Sequence, residues 1–557
     1  MNNRLSQKDL EATEIPIEYQ YKEPFYQDNI SFGIKTKKKP TKLIVIIVIS
    51  ILIIISILII LYLIFFQKKK CEPGYILEEK NCVINHSLKA VYNITDKDQI
   101  IKLFNISIST IKEIIIDGEK VDICNEYKFP SIGLHSVLAL FDFSQIKSLE
   151  KMFYKIEDLV SISFTNKFNI ESINSMESMF QLCTKLTSID LSNINAQNVN
   201  SMKFIFESCS SLETINLNNF KVENTKNMHG LFKGCSSLKS IDLSSFNAFN
   251  VNNTRNLFDD CLSITSIDLS QFVTDKVRDM RHMFRNCKKL ISINLSKFVT
   301  KEVTNMEGMF EECNSLTFLD LSNFNTKDVD NMKRMFKGCK SLISLNLGKF
   351  KNDNVENMNE MFEDCSSLTS LDLSQFSTEN ASYMKSMFKG CASLIFIDLS
   401  NFETENVEDM SGMFEDCSNL TNINLYELDT SGVTKMNNMF EGCKSLTSIY
   451  LSNFDTEFLE EMDYMFKGCL SLTSIDLSNF NTESIEKMTG VFLNCPSLQY
   501  IDVSSFIWPI DKIIHLSDFQ ANKGVLIINE TFYSKLQVKP NKNWKVYFNK
   551  TNLLNQI

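Results

Sequence analysis

The sequence predicts an α/β solenoid, a leucine-spaced array of 26-residue helix–strand units with a parallel sheet on its concave side, preceded by one transmembrane helix and a small β-rich N-terminal cap domain. Three observations predict it. Cysteines from Cys183 to Cys495 recur every 26 residues through 13 units without an insertion or deletion. Within each unit the apolar spacing switches from three-and-four to alternation, the periods of a helix face and of a strand. Ahead of the array, Leu43 to Phe66 runs 24 residues without a charge, long enough to cross a bilayer with some tilt.

Residues 1–42 read as a disordered cytosolic tail, with Tyr19, Tyr21 and Tyr26 among six acidic residues. Residues 43–66 read as an uncleaved anchor, since 42 residues precede the run and no small-residue cleavage site follows it. Lys35, Lys37, Lys38, Lys39 and Lys42 stand before it and Lys68, Lys69 and Lys70 after. By the positive-inside rule this excess puts the N-terminus in the cytosol. The expected localisation is the plasma membrane, single-pass type II, with the array extracellular. Residues 1–70 hold 11 Lys/Arg against 6 Asp/Glu, a net of +5, so the remainder carries −16 to give the chain its −11. A charge of that sign excludes nucleic acid as a partner. Sequons such as Asn252, Asn380 and Asn419 point outward, whereas thirteen unpaired array cysteines favour a reducing compartment. With the topology reversed, the chain becomes a membrane-tethered scaffold.

Residues 67–83 contain "CEPGYILEEKNC", which resembles a fragment of the small cysteine-knotted modules of secreted proteins and implies a possible Cys71–Cys82 disulfide. Residues 84–147 lack the period. A hairpin around Asp117-Gly118 and a strand in "IGLHSVLALFDF" suggest a β-rich domain that caps and spaces the array, with Cys124 unpartnered.

The array occupies 148–506. Its first unit is degenerate, with Met152 and Phe153 in place and Ile156 where a cysteine would stand. In a regular unit Val329, Met332, Met335, Phe336 and Cys339 predict a short helix, with Thr326 as N-cap and Gly338 near its end. Leu342, Leu345 and Leu347 alternate as in a strand. One unit cannot bury its apolar stripe alone, so the copies stack. The Cys and Met columns are core filling. The residue after the phenylalanine alternates in sign through Glu207, Lys233, Asp259, Arg285, Glu311, Lys337, Glu363, Lys389 and Glu415. That alternation predicts a ladder of surface ion pairs that resists slippage by one unit. After 506 the pattern is lost, and 507–557 read as a C-terminal cap.

The Leu-x-x-Leu-x-Leu-x-x-Phe spacing matches the leucine-rich repeat signature in outline. The recurring "NMxxMFxxCxSLTSIDLSNF" resembles the repeat of the BspA-like leucine-rich repeat surface proteins of bacteria and protists. The resemblance spans the array and implies a surface-displayed, non-enzymatic protein that adheres or binds a ligand.

In "SIDLS" the Ser and Asp point outward. Down the stack the central position gives eight Asp and four Asn, among them Asp372 and Asp398. Phe318, Phe396, Tyr426, Tyr450 and Tyr500 interrupt this polar face at outward positions, and with Asp372 and Asp398 they are the candidate ligand-binding residues. No unit supplies the dense loop of oxygens a calcium site needs, so neither metal nor cofactor is expected. The five histidines are scattered, without zinc spacing or a phosphate loop, so no enzyme is expected. Two functions fit. One is a cell-surface adhesin or receptor binding a protein or glycan on the concave face; the other is a surface coat or spacer acting through lateral self-association.

Overall fold

The computed structural model of the chain describes residue 55 and residues 75–548, except 79–80, 85–86, 143–145, 165–167, 171, 247, 349, 508–520 and 537–538. Cys71–Ile557 form one compact unit. Its array is a β-solenoid of about 13 coils, neighbours being joined at two places. Short parallel strands such as Phe318–Asp320 and Ser344–Asn346 pair in register, and 13 single-residue parallel bridges run from Ser148 to Lys487.

The predicted helix is not formed. In the coil around Cys339, the N–H groups of Met335, Lys337, Cys339 and Leu342 each donate to the carbonyl three residues back, at 3.1 Å. Arg334 and Gly338 have φ of 58° and 74°, the left-handed third residue of a type II turn. The alternate N–H groups of Met332, Arg334, Phe336 and Gly338 point sideways and donate to Asn357, Asn359, Met361 and Glu363 of the next coil at 2.7–3.0 Å. A helix would direct every one of them to the carbonyl four residues back. The helix–strand unit is therefore corrected to a chain of β-turns followed by a three-residue strand. Successive turns reproduce the three-and-four apolar spacing of a helix face, which is why the period misleads. Thr326 caps no helix; its Oγ1 donates to the carbonyl of Lys351 one coil on, at 3.1 Å. Apart from the single helical residue Ile55, the α-helix among the described residues is Glu530–Lys535.

The core columns stand as the apolar pattern places them. Met332, Met335, Phe336, Cys339 and Leu342 are all fully buried. The turn phenylalanines from Phe153 to Phe492 stack face to face through the whole array, with centroids 5.2–5.9 Å apart and ring planes within 17°. The spacing lies in the favoured range for aromatic pairs. Each cysteine thiol donates to a phenylalanine carbonyl of the preceding coil, as Cys339 Sγ does to Phe310 at 3.2 Å, and the array cysteines are free. Burial pushes the Cys339 thiol up to about 12, so it stays protonated at neutral pH and lacks the reactive thiolate. Alkylation at pH 8 followed by peptide mass mapping is thus expected to label the half-buried Cys124 before any array cysteine, and the array cysteines only as the chain unfolds. Prompt labelling of Cys339 in the native protein would contradict this.

The segment read as a separate N-terminal cap domain joins the array directly. Ser87–Ile94 pairs antiparallel with Gly133–Phe141 on one side and with Leu159–Phe164 on the other. Leu159–Phe164 in turn pairs parallel with Ser188–Asp190. One seven-stranded sheet thus contains both, because the first coil's strand offers an open edge whose N–H and C=O groups need partners. At the other end, Ser474–Asp476, Tyr500–Val503, Gly524–Ile528 and Trp544–Tyr547 continue the parallel order past the last regular unit.

The membrane assignment is also corrected. Among the described residues no helix is long and apolar enough to cross a membrane; the described helix has 6 residues, whereas a span needs about 20. The run 43–66 lies outside the described residues apart from Ile55. Single-pass type II localisation is accordingly withdrawn. The tail 1–42 and Cys71 likewise lie outside them; Cys82 falls in strand Asn81–Ile84.

Candidate ligand-binding face

Most coils present a three-residue strand, typically with a buried middle residue and exposed flanking residues, as in Ser240–Asp242 and Ser266–Asp268. The outward Asp or Asn closes the strand by accepting the N–H two residues on. Ser322, Ser374 and Ser400 donate to Oδ1 of Asp320, Asp372 and Asp398 at 3.0 Å, and Ser296 to Oδ1 of Asn294 at 3.0 Å. An amide oxygen serves the turn as well as a carboxylate, which explains why Asp and Asn interchange down the column. The backbone N–H and then the hydroxyl of the following serine hold the Asp320, Asp372 and Asp398 carboxyls below their ordinary value. These three carboxylates are therefore ionised at neutral pH. Among the described residues, no group of three or more His, Cys, Asp or Glu is placed to hold a metal ion.

The aromatic exceptions are displayed on this surface. Phe318 and Phe396 are 54% and 47% exposed, Tyr426 75% and Tyr450 85%, whereas Tyr500 is half-buried. Pairing of Phe396–Asp398 with Asn422–Asn424 places Tyr426 two residues past the end of the second strand, and the repeat places Tyr450 in the Asn424 column one coil on. Sequence reasoning missed the exposed Ile291, Ile343 and Ile395. They occupy the position before the strand where Thr is usual, and that column carried the signal. From 265 to 478 the outward strand positions hold Asp268, Asp320, Asp372, Asp398 and Asp476 and no Lys or Arg. An open cavity of about 710 Å³ adjoins the face beyond Ser374 and Ser400, with Glu403 and Glu427 in its lining.

The charged column of the turn segment forms discrete pairs instead of a continuous ladder. Glu207–Lys233, Asp259–Arg285, Lys337–Glu363, Lys389–Glu415 and Glu441–Lys467 lie 2.7–3.2 Å apart. Among the described residues no ion pair links one couple to the next. Glu311 falls between couples, 3.8 Å from His282, and burial raises its carboxyl.

Ser131, His135 and Asp117 bring together the residue types of a hydrolytic triad. His135 Nδ1 lies 2.6 Å from Asp117 Oδ2, but Nε2 lies 2.8 Å from the Ser131 carbonyl and 3.4 Å from its hydroxyl. The carbonyl, not a nucleophile, occupies the ring nitrogen, so the group pins the hairpin turn at Asp117.

A family model described as "Mycoplasma protein of unknown function, DUF285" matches residues 129–241, 212–319, 304–426 and 409–522. No curated protein matches the chain. Among solved structures, a leucine rich cell surface protein from Faecalibacterium prausnitzii A2-165 is 16% identical over 71% of this chain and 86% of that chain, with a TM-score of 0.29. An internalin, InlF, from Listeria monocytogenes is 10% identical over 65% and 83%, with a TM-score of 0.20. The functional domain of InlJ from Listeria monocytogenes, which includes a cysteine ladder, is 12% identical over 74% of each chain, with a TM-score of 0.23.

Proposed function

We propose that this chain, which belongs to the DUF285 family, is a surface repeat protein that binds a protein or glycan ligand through the strand face of its solenoid. The observation that carries this reading is the exposure of Phe318, Phe396, Tyr426 and Tyr450 on a sheet whose other outward positions, Tyr500 apart, are small and polar. Leaving large rings in water has no folding rationale, whereas aromatic residues on a rigid support dominate binding hot spots at little ordering cost. The resemblance to BspA-like surface proteins supports display outside the cell, and the binding role needs no catalytic group.

The test is to probe glycan and extracellular-protein arrays with the labelled full chain and with a Phe396→Ala, Tyr450→Ala double variant. Both side chains face solvent, so circular dichroism and the melting temperature are expected to stay unchanged. Loss of two hot-spot aromatics is expected to weaken target binding at least about tenfold. Targets held equally well by both proteins would remove these residues from the binding surface.

A further inference from the structure

We infer that Phe318 with Asp320 and Phe396 with Asp398 form two equivalent cation sites, which together receive an extended basic polypeptide segment carrying Lys or Arg side chains four residues apart. The inference rests on the reading of the strand face as the binding surface and specifies its partner.

The two sites match residue for residue. Each has an exposed Phe at the first position of a strand and an exposed Asp at the third. Each Asp Oδ1 accepts two hydrogen bonds. Asp320 takes them from the Ser322 N–H at 3.0 Å and Asn346 Nδ2 at 2.9 Å; Asp398 takes them from the Ser400 N–H at 3.0 Å and Asn424 Nδ2 at 2.8 Å. The hydroxyl of the same serine also acts on each carboxylate, and among the described residues no ion pair engages either. The serine and the asparagine thus orient an exposed carboxylate beside a phenyl ring two residues back. Residues two apart on a strand share a face about 7 Å apart, so an ammonium or guanidinium can meet the carboxylate and lie over the ring at once.

Charge selects the same partner. No Lys or Arg at the outward strand positions from 265 to 478 neutralises the Asp column, and Asp372 lies in the column between the two sites. A face with that uncompensated sign attracts cationic partners and repels anionic ones.

Spacing then sets the register of the ligand. Asp320 and Asp398 are 78 residues apart, three coils of 26, or about 14 Å at the usual distance between paired strands. In an extended peptide, residues i and i+4 point to the same side and are also about 14 Å apart. A strand lying across the coils therefore reaches both sites with side chains at i and i+4, whereas a separation of two residues reaches only one.

The experiment uses the full chain and two fluorescent peptides of equal composition, Arg-Thr-Val-Thr-Arg and Thr-Arg-Val-Arg-Thr, at low ionic strength with anisotropy as the readout. Engaging the second site is expected to give the first peptide an advantage of about tenfold. Asp320→Asn and Asp398→Asn each retain the Oδ1 hydrogen bonds and so the local fold, and each is expected to abolish the advantage. Equal affinity of the native chain for both peptides overturns the inference, as does an advantage that survives both substitutions. A chain that binds neither peptide, yet loses its array targets on Phe396→Ala with Tyr450→Ala, refutes the basic-segment partner and leaves the binding-face reading intact. Selective peptide binding with no target sensitive to that double variant supports the cation sites and refutes the broader reading.

Discussion

Phe336→Ala is expected to lower the stability of the array by about 3–5 kcal/mol, the range for deleting a buried ring that its surroundings cannot refill. Phe336 is fully buried, with Phe310 and Phe362 stacked on its two faces at 5.9 and 5.4 Å. Its N–H also donates to Met361 in the next coil at 2.9 Å, so the backbone around the void is held from one side and cannot collapse freely. In a solenoid each coil is stabilised chiefly by its neighbours, so the loss falls on two interfaces at once. Phe492 ends the stack and, among the described residues, has one ring partner, Phe466 at 5.8 Å; alanine there is expected to cost less. Urea unfolding followed by circular dichroism separates the two variants. Equal midpoints would show that the ring column does not carry the inter-coil stability.

Arg285→Ala is the second large effect, expected at about 3 kcal/mol because it strands a buried carboxylate. Asp259 has no exposed surface, and Arg285 holds it with two parallel bonds, Nε to Oδ1 and Nη2 to Oδ2, both 2.7 Å. Asn256 Nδ2 adds a third contact at 2.7 Å. The value sits at the low end for a broken buried pair because the Arg285 side chain keeps 30% of its exposure. Lys467→Ala removes a more exposed partner of Glu441, with 38% and 19% exposure on the two sides, and is expected to cost about 0–1 kcal/mol. Thermal melts of both variants give the comparison. Restoring stability in Arg285→Ala by adding Asp259→Leu would identify the orphaned charge as the cause. An Arg285→Ala melt as mild as that of Lys467→Ala would mean that water reaches Asp259.

Much of the strand face was legible before the structure. Strand alternation alone put Phe318, Phe396, Tyr426 and Tyr450 outward, and all four are exposed. Tyr500 lies half-buried, because its coil packs against the irregular C-terminal strand Gly524–Ile528 instead of a regular unit. The equivalence of the two Phe-x-Asp pairs was hidden, since it depends on Asn346 and Asn424 arriving from the next coil.

The sequence by itself determined the 26-residue period, the number of coils and the identity of the core columns, because each is set by which side chains leave water. It even carried the clue against a helix: the residue before the cysteine is Gly, Asn or Asp in 10 of the 13 units, the types that enter left-handed backbone most readily. Tertiary structure alone decided how the backbone closes. The same apolar spacing suits a helix or a run of turns, and what separates them is the destination of alternate N–H groups. In this protein that destination is the neighbouring coil, which also decided that Asp259 pairs with Arg285 and that Leu159–Phe164 adopts the N-terminal strands into one sheet.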